Sequence, residues 1–334
     1  MPSPATSTND TSVLTFSNVQ IQIYCRFFSD TDVTTSDHDG DVCTLDDKRS
    51  FLSALARLPG SLVLEHNCPV IVSDLLNFDE IDHLEVRQLG IRQSEGLSDL
   101  KYARLGAMIE RSFHLADLTL ALPFVDVPQE FCDSLGNSIH IQKLRLTSPK
   151  KPDHGPHRLV AQPDINIAEG VGDGILERLL QNPQNQLTRL ELPLLELEDH
   201  HLIAIAQLLP TSKVRYLDFS QNCICMWGFL EFALLLPRMH SLHTIHFGVN
   251  LWEESPFEAR TKCGTALLHA LMENPNLAWL NGMEKLPQCQ LLWHYCALNR
   301  AGRKILGSAY SHRHDEERPI PDGLWPHILA RGGK

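Results

Sequence analysis

The stretch VRYLDFSQN, Val214 to Asn222, decides the fold. Its apolar residues keep the spacing apolar-x-x-apolar-x-apolar and are Val214, Leu217 and Phe219. Successive side chains of a β-strand point to opposite faces, so Leu217 and Phe219 are expected to share a buried face, opposite Tyr216 and Asp218. A lone strand has no use for the asparagine that follows, so the question is whether the pattern recurs.

The same spacing does recur along the chain. LTRLEL (Leu187 to Leu192) precedes it and LHTIHF (Leu242 to Phe247) follows it, with middle anchors 27 and 28 residues apart. Looser copies are Leu62-Val-Leu64, Leu84-Glu-Val86, Leu115 to Leu120, Ile141 to Leu146 and, last, Leu277 to Leu280. Recurrence at a step of 20 to 50 residues predicts a repeat array, in which stacked units share one core.

An asparagine recurs at one offset from these strands, as Asn67, Asn222 and Asn250. A strand that turns sharply inside a stack leaves backbone groups buried, and an asparagine side chain can both donate to and accept from them. The alternative is that asparagine is simply common in turns. The shared offset favours a ladder of asparagines.

Between the strands the apolar residues change to helical spacing. We predict helices over Asp199 to Leu209, with Asp199 as N-cap, and over Trp227 to Leu236 and Thr261 to Met272. Helical stretches are also expected at Gly174 to Asn182 and Leu97 to Ile109. Each unit is therefore a short strand, a loop, a helix and a second loop.

This unit resembles the leucine-rich repeat, in the ribonuclease-inhibitor-like class whose longer repeats contain helices. The resemblance covers roughly residues 45 to 282 and is strongest from Leu187 to Asn250. It implies an α/β solenoid, the horseshoe, with short parallel strands on the concave face, helices on the convex face, and caps at both ends.

The chain is divided accordingly. We expect a disordered tail over 1–14, an N-terminal cap strand and an Asp-rich loop over 15–44, repeats over 45–283 with an inserted loop at 147–170, and a C-terminal helical cap over 284–334. LNRAGRKIL (298–306) and PIPDGLWPHILAR (319–331) look like the tail of uncharacterised leucine-rich repeat proteins of unicellular algae.

Composition excludes several classes. The chain of 334 residues has a net charge of −12, whereas a nucleic-acid binder is usually basic. It has no apolar run long enough to cross a bilayer and no secretory signal at its start, which predicts a cytoplasmic or nuclear protein without membrane contact. Nine irregularly spaced cysteines are then expected to be reduced thiols.

The sequence contains no pattern that predicts catalysis, a metal or a cofactor. The nucleophile-elbow, phosphate-loop, HExxH and dinucleotide-binding motifs are absent. Asp37-His-Asp-Gly-Asp41 has closely spaced carboxylates but lacks the glycine position and closing glutamate of a calcium loop. His243 and His246 are expected to face outward as contact residues rather than as metal ligands.

The outward rows of the strands are the predicted functional surface. One row is Glu85, Thr119, Arg145, Glu191, Asp218 and His246, and the preceding row is Asp117, Lys143, Arg189, Tyr216, Thr244 and Trp279. We predict a monomeric, non-catalytic scaffold or adaptor that binds a protein partner through this face. The expected contact residues are Arg145, Arg189, Glu191, Tyr216, Asp218, Thr244 and His246.

Two alternatives stay open at this point. One is a regulator resembling Ran GTPase-activating proteins, which share this repeat class but carry an acidic tail that is missing here. The other is a substrate adaptor of a ubiquitin ligase, which usually has an F-box-like helical module before the repeats. The first 57 residues do not read as such a module.

Overall fold

A single parallel sheet is the centre of the molecule. The computed structural model describes residues 20–23, 45–57, 60–64, 75–76, 81–92, 97–123, 127–149, 175–248, 250 and 255–302. Within them, nine strands are joined so that each pairs in parallel with the next along the chain. They are β1 Gln20–Ile23, β2 Ser61–Leu64, β3 Gln88–Arg92, β4 Asp117–Ala121, β5 Lys143–Thr147, β6 Arg189–Glu191, β7 Tyr216–Asp218, β8 Thr244–His246 and β9 Trp279–Asn281.

Helices connect the strands and cover one face of the sheet. They are α1 Leu45–Ala56, α2 Asp99–Arg111, α3 Gln129–Asn137, α4 Glu177–Gln181, α5 Asp199–Leu208, α6 Met226–Leu235, α7 Phe257–Glu273 and α8 Cys289–Arg300. From α2 to α8, each helix packs against the next one. Buried side chains of strands and helices form one continuous apolar core. The result is an α/β fold of solenoid-like order, and no helix in the described ranges is long and apolar enough to span a membrane.

The strand register agrees with the predicted rows from β4 onward. Leu118, Leu144, Leu190, Leu217 and Ile245 are paired across neighbouring strands and are all fully buried. Leu280 continues this column on β9. The spacing of apolar anchors predicted this column because a shift of one residue would expose every anchor.

The prediction for β3 was wrong. Leu84-Glu-Val86 lies before the strand, and the residue that pairs with Leu118 is Leu89. The true copy of the repeat is Val86-Arg-Gln-Leu89-Gly-Ile91, with Gly90 at the outward place assigned to Glu85. Leu84 and Val86 are nevertheless fully buried, so the apolar pattern alone could not distinguish the two registers.

One residue before each strand, the backbone already follows the ladder. The N–H of Arg215 donates to the Thr188 carbonyl at 2.8 Å, the N–H of His243 to Arg215 at 2.8 Å, and that of Ala278 to His243 at 2.9 Å. These residues therefore stand in a column of their own, along the N-terminal edge of the strands.

The asparagine ladder is present in the best-formed repeats. The Asn222 amide, 1% exposed, donates to the carbonyls of Leu192 at 2.8 Å and Phe219 at 3.0 Å. Its oxygen accepts the N–H groups of Leu195 at 3.0 Å and Leu197 at 3.1 Å. Asn250 likewise donates to the Phe219 carbonyl at 3.0 Å. Asn67 lies outside the described residues.

A second set of buried asparagines ties the helix-to-strand loops together, and the sequence did not predict it. Asn274 donates to the carbonyls of Leu236 at 3.1 Å and Met239 at 2.9 Å in the preceding unit. Asn299 of α8 donates to the Leu277 carbonyl at 2.7 Å. Buried backbone carbonyls on both edges of the stack are thus satisfied by side-chain amides.

A helix is present in each of the predicted segments, but its ends differ from the predicted ones by a few residues. The N-cap of α5 is Glu198 rather than Asp199, because Glu198 and His201 form a capping box in which the His201 ring accepts the Glu198 N–H at 3.2 Å. Asp199 instead reaches the next helix, where its carboxylate accepts the Cys225 N–H at 2.8 Å. The 147–170 insertion beyond Pro149, the Asp-rich loop before Leu45 and the end of the chain after Gly302 lie outside the described residues.

Candidate functional site

The predicted contact residues lie on four adjacent strands. Pairing places Arg145 of β5 beside Glu191 of β6, which stands beside Asp218 of β7 and then His246 of β8. Arg189, Tyr216 and Thr244 form the neighbouring row. Both rows face away from the helices, and their side chains are half-buried apart from Glu191. We call these seven residues the strand-face cluster.

Glu191 does not present itself to solvent. Its side chain is 3% exposed, while those of its ion-pair partners Arg145 and Arg189 are 42% and 43% exposed. Arg145 Nη1 lies 2.9 Å from one carboxylate oxygen, and Arg189 Nε contacts the other. The prediction of Glu191 as a direct contact is therefore corrected: it holds two guanidinium groups in place, and these form the surface. Charge-assisted pairs of this kind fix side-chain geometry.

An aromatic stack continues the cluster across the next two strands. The Arg189 guanidinium lies 3.8 Å above the centre of the Tyr216 ring, a cation–π distance. The Tyr216 and His246 rings are 5.1 Å apart. His246 Nε2 then lies 2.8 Å from the Asn281 side-chain nitrogen on β9, so this histidine nitrogen accepts. Five strands thus contribute to one connected surface.

The phenol of Tyr216 is a neutral hydrogen-bonding group. Partial burial raises its pKa, and the negative charge of Asp218 adds to this effect. The Asp218 carboxylate is partly engaged, since it accepts the Ser220 N–H at 2.8 Å. The cluster therefore offers positive, aromatic and hydroxyl groups on a stable frame.

A groove of about 870 Å³ adjoins the cluster along the N-terminal edge of β7 to β9. Tyr216 and Thr244 form one wall, and the rest comes mainly from loop residues before the strands. Five of its lining side chains carry basic nitrogens: Lys213, Arg215, His240, His243 and Arg300. We call this feature the basic groove.

The groove's charges are close enough to act on one another. Desolvation lowers the pKa of His243, and the nearby positive charges of Arg215 and Arg300 lower it further. Arg300 lies 3.8 Å above the Trp279 ring and donates to the Ala278 carbonyl at 3.1 Å. The groove is therefore a concentration of fixed positive charge on a chain whose net charge is −12.

Sequence reasoning predicted Tyr216, Thr244 and His243 as outward-facing contact residues but did not assign Lys213, Arg215 or Arg300 to the contact surface. A usable signal was present. The residues that follow the first anchor of successive repeats are Thr188, Arg215 and His243, and they form a polar column just before the strands. Arg300 comes from α8, which no strand pattern could place.

A second groove of about 640 Å³ lies near the middle of the sheet, before β4 and β5. Phe113, 76% exposed, lies edge-on to His140 with ring centres 5.8 Å apart. Burial lowers the pKa of His140, whose ring nitrogen lies 3.3 Å from the Ile109 carbonyl. This groove mixes acidic, basic and apolar groups and is chemically less distinctive than the basic groove.

Burial keeps several thiols of the described residues in their protonated form. Burial raises the pKa of Cys223 to about 11, of Cys263 to about 12 and of Cys296 to about 11. Cys225 donates from its thiol to Asp199 at 2.6 Å. A reactive cysteine requires the opposite shift, towards thiolate at neutral pH. In the described part of the chain no three His, Cys, Asp or Glu side chains are grouped to hold a metal ion.

Comparison with known proteins adds little to this geometry. No protein-family model matches the chain, and no curated protein matches it. Among solved structures, one described as Leiomodin-1 Actin-Binding Site 2 (ABS2) aligns with 72% of this chain and 95% of its own length. The identity is 13% and the TM-score is 0.32, which is too low to bear on function.

Proposed function

We propose that this chain is a leucine-rich repeat protein of the ribonuclease-inhibitor-like class that recognises a partner protein without catalysis. The strand face would be the concave side of a horseshoe, and the strand-face cluster would be the centre of the interface. The protein would act as a monomeric scaffold or adaptor inside the cell, in the cytoplasm or nucleus.

One observation carries the proposal: arginine, tyrosine and histidine side chains from adjacent strands form a connected, half-exposed surface on a rigid sheet. The contacts Arg189–Tyr216 at 3.8 Å and Tyr216–His246 at 5.1 Å leave these side chains little freedom to lose on binding. Interfaces draw most of their affinity from such anchors, and arginine and tyrosine are enriched among them.

Site-specific photo-crosslinking tests the proposal. A photoreactive phenylalanine analogue is placed at Tyr216 on the strand face or at Gln207, an exposed residue of α5, and complexes are recovered from native cells. We expect a discrete crosslinked protein from position 216 only. Addition of Asp218→Ala and His246→Ala to the variant labelled at 216 is expected to abolish it.

A matched triple variant guards against misfolding. Gln207→Ala, Glu231→Ala and His269→Ala change three exposed helix residues and are expected to leave the crosslink from position 216 intact. The proposal is wrong if the partner crosslinks equally from 207, or if the strand-face substitutions leave capture unchanged while circular dichroism shows a folded chain. Small-angle scattering provides the separate test of a curved solenoid.

A further inference from the structure

The basic groove is a charged surface with little to neutralise it. The Lys213 and Arg215 side chains are exposed, and Lys213 Nζ donates to the Pro183 carbonyl at 3.4 Å. None of the described carboxylates forms a salt bridge with Lys213 or Arg215, and none lines the groove. The cations of β5 and β6 are instead paired, Lys143 with Asp117 at 3.2 Å, and Arg145 and Arg189 with Glu191. Lys213 and Arg215 therefore differ from the arginines of the strand-face cluster, which are paired with Glu191.

The arrangement follows the repeat. Arg215 and His243 occupy the same place in successive units, so their backbones are about one strand spacing, roughly 4.8 Å, apart. Arg300 extends the line beyond β9 by lying against Trp279. Arg215, the neutral His243 ring and Arg300 are thus ordered along the solenoid axis, across the strands. An extended ligand lying along that axis could meet several of them in turn.

An acidic polypeptide fits this row of groove side chains better than a nucleic acid does. Single-stranded nucleic acids bind through bases stacked on free aromatic faces. Here one face of Tyr216 is covered by Arg189 and one face of Trp279 by Arg300. The overall charge of −12 also opposes a long polyphosphate, whereas a short acidic segment meets mainly the local field.

The groove also offers hydrogen bonds suited to carboxylates. Arg215 can donate two parallel N–H groups to one carboxylate, and Lys213 acts as a mobile point charge. Ser241, Thr188 and Asn276 add neutral polar groups to the lining. In an extended peptide, alternate residues point to the same side, so Asp or Glu at every second position could face the groove.

We propose that the basic groove binds an extended, Asp- or Glu-rich segment of the partner protein, with Lys213, Arg215 and Arg300 as its counter-ions and the neutral His243 ring as a hydrogen-bonding group between them. This inference rests on the proposed function, because it specifies the chemistry of the segment that is recognised. The strand-face cluster would hold the folded part of the partner, and the groove would hold its acidic segment.

The test uses the full chain and a fluorescein-labelled oligo-glutamate peptide, with oligo-glutamine and oligouridylate of equal length as competitors. Fluorescence anisotropy measures binding to wild type, to the groove variant Lys213→Gln with Arg215→Gln, and to the control variant Arg238→Gln with Lys262→Gln. Both variants remove two exposed cations, so they change the net charge equally.

We expect oligo-glutamate to bind wild type and the control variant alike, and the groove variant about tenfold more weakly, since each exposed ion pair contributes modestly. Higher ionic strength is expected to weaken binding. Absence of binding to wild type, equal loss in both variants, or tighter binding of oligouridylate would each overturn the inference. None of these results alters the crosslink from Tyr216, so the failure of the groove and the failure of the proposed function are distinguishable.

Discussion

The side chain of Asn250 accepts the backbone N–H of Asn222 at 3.2 Å, so this ladder asparagine holds the preceding one in place. Asn222 in turn makes five hydrogen bonds to the backbone of its own and the preceding unit. Its side chain provides the hydrogen bonds that buried backbone N–H and carbonyl groups of the stack would otherwise make with water. The ladder is therefore part of the packing between repeats, not a feature of one turn.

Asn222→Ala is expected to lower the free energy of unfolding by about 2–4 kcal/mol, because it leaves several buried donors and acceptors unsatisfied. Gln207→Ala, which removes an exposed helix amide, is expected to stay within about 0.5 kcal/mol of wild type. Urea denaturation followed by circular dichroism measures both. Similar midpoints for the two variants would show that the ladder contributes nothing to stability.

Glu191 and Arg145 are expected to be energetically coupled. Because Arg145 is 42% exposed, solvent screening reduces the pair energy, and we expect a coupling of about 0.5–1 kcal/mol. The measurement is a double-mutant cycle with Glu191→Ala and Arg145→Ala. The second guanidinium provides an internal check, since Arg189→Ala is expected to couple to Glu191→Ala as well. Additive effects of Glu191→Ala with both arginine changes would contradict the ion-pair arrangement.

Gly228→Ala is expected to destabilise the chain although alanine favours helices. A methyl group there would come within 2.8 Å of the Asp199 Cβ and displace a carboxylate that binds Cys225. We expect a loss of about 1 kcal/mol, since the crowding outweighs the helix propensity gained. In an Asp199→Gly background, which also removes that Cβ, the same change is expected to become neutral or stabilising. Thermal denaturation of wild type, the two single variants and the double variant measures these effects. If Gly228→Ala lowers the stability in both backgrounds, Asp199 is not the cause.

The pKa of His243 is expected to rise in Arg215→Gln, because the arginine's positive charge is one of its depressing causes. The folded pKa lies below the ordinary value of 6.5, so the unfolded chain takes up the proton first as pH falls. The neutral ring's contribution to stability is thus complete above pH 6.5 and is lost below it. NMR titration of the His243 ring gives the shift, and Arg238→Gln is the control that should leave it unchanged. An unchanged His243 pKa in Arg215→Gln would show that Arg215 does not act on this ring.

Spacing predicted the strands because a buried anchor leaves little freedom in register. The anchors from Leu118 to Leu280 all lie where the pattern placed them. The spacing predicted the wrong register for β3, because Leu84 and Val86 are as deeply buried as strand residues. Two overlapping apolar patterns compete there, and only strand pairing identifies Leu89 as the anchor.

The site was predicted in part, and its gaps have physical reasons. Alternation along β6 correctly turned Glu191 away from the core, but it could not show that two arginines cover the carboxylate. The basic groove was missed because its residues precede the strands or come from α8. The covered Glu191 carboxylate and the basic groove both depend on the length of side chains and on contacts between distant segments. The spacing of apolar residues contains no information about either.

The direct pairing of β5 with β6 has a consequence for how the chain can change. Arg145 and Glu191 are 46 residues apart, yet they meet in the same register as residues one ordinary unit apart. Closing a loop of that length instead of a normal unit costs only about 0.5 kcal/mol more. The interval between Pro149 and Ile175 is thus a place where sequence can be gained at almost no thermodynamic penalty, and it is the natural point for evolution, or an engineer, to insert a new module.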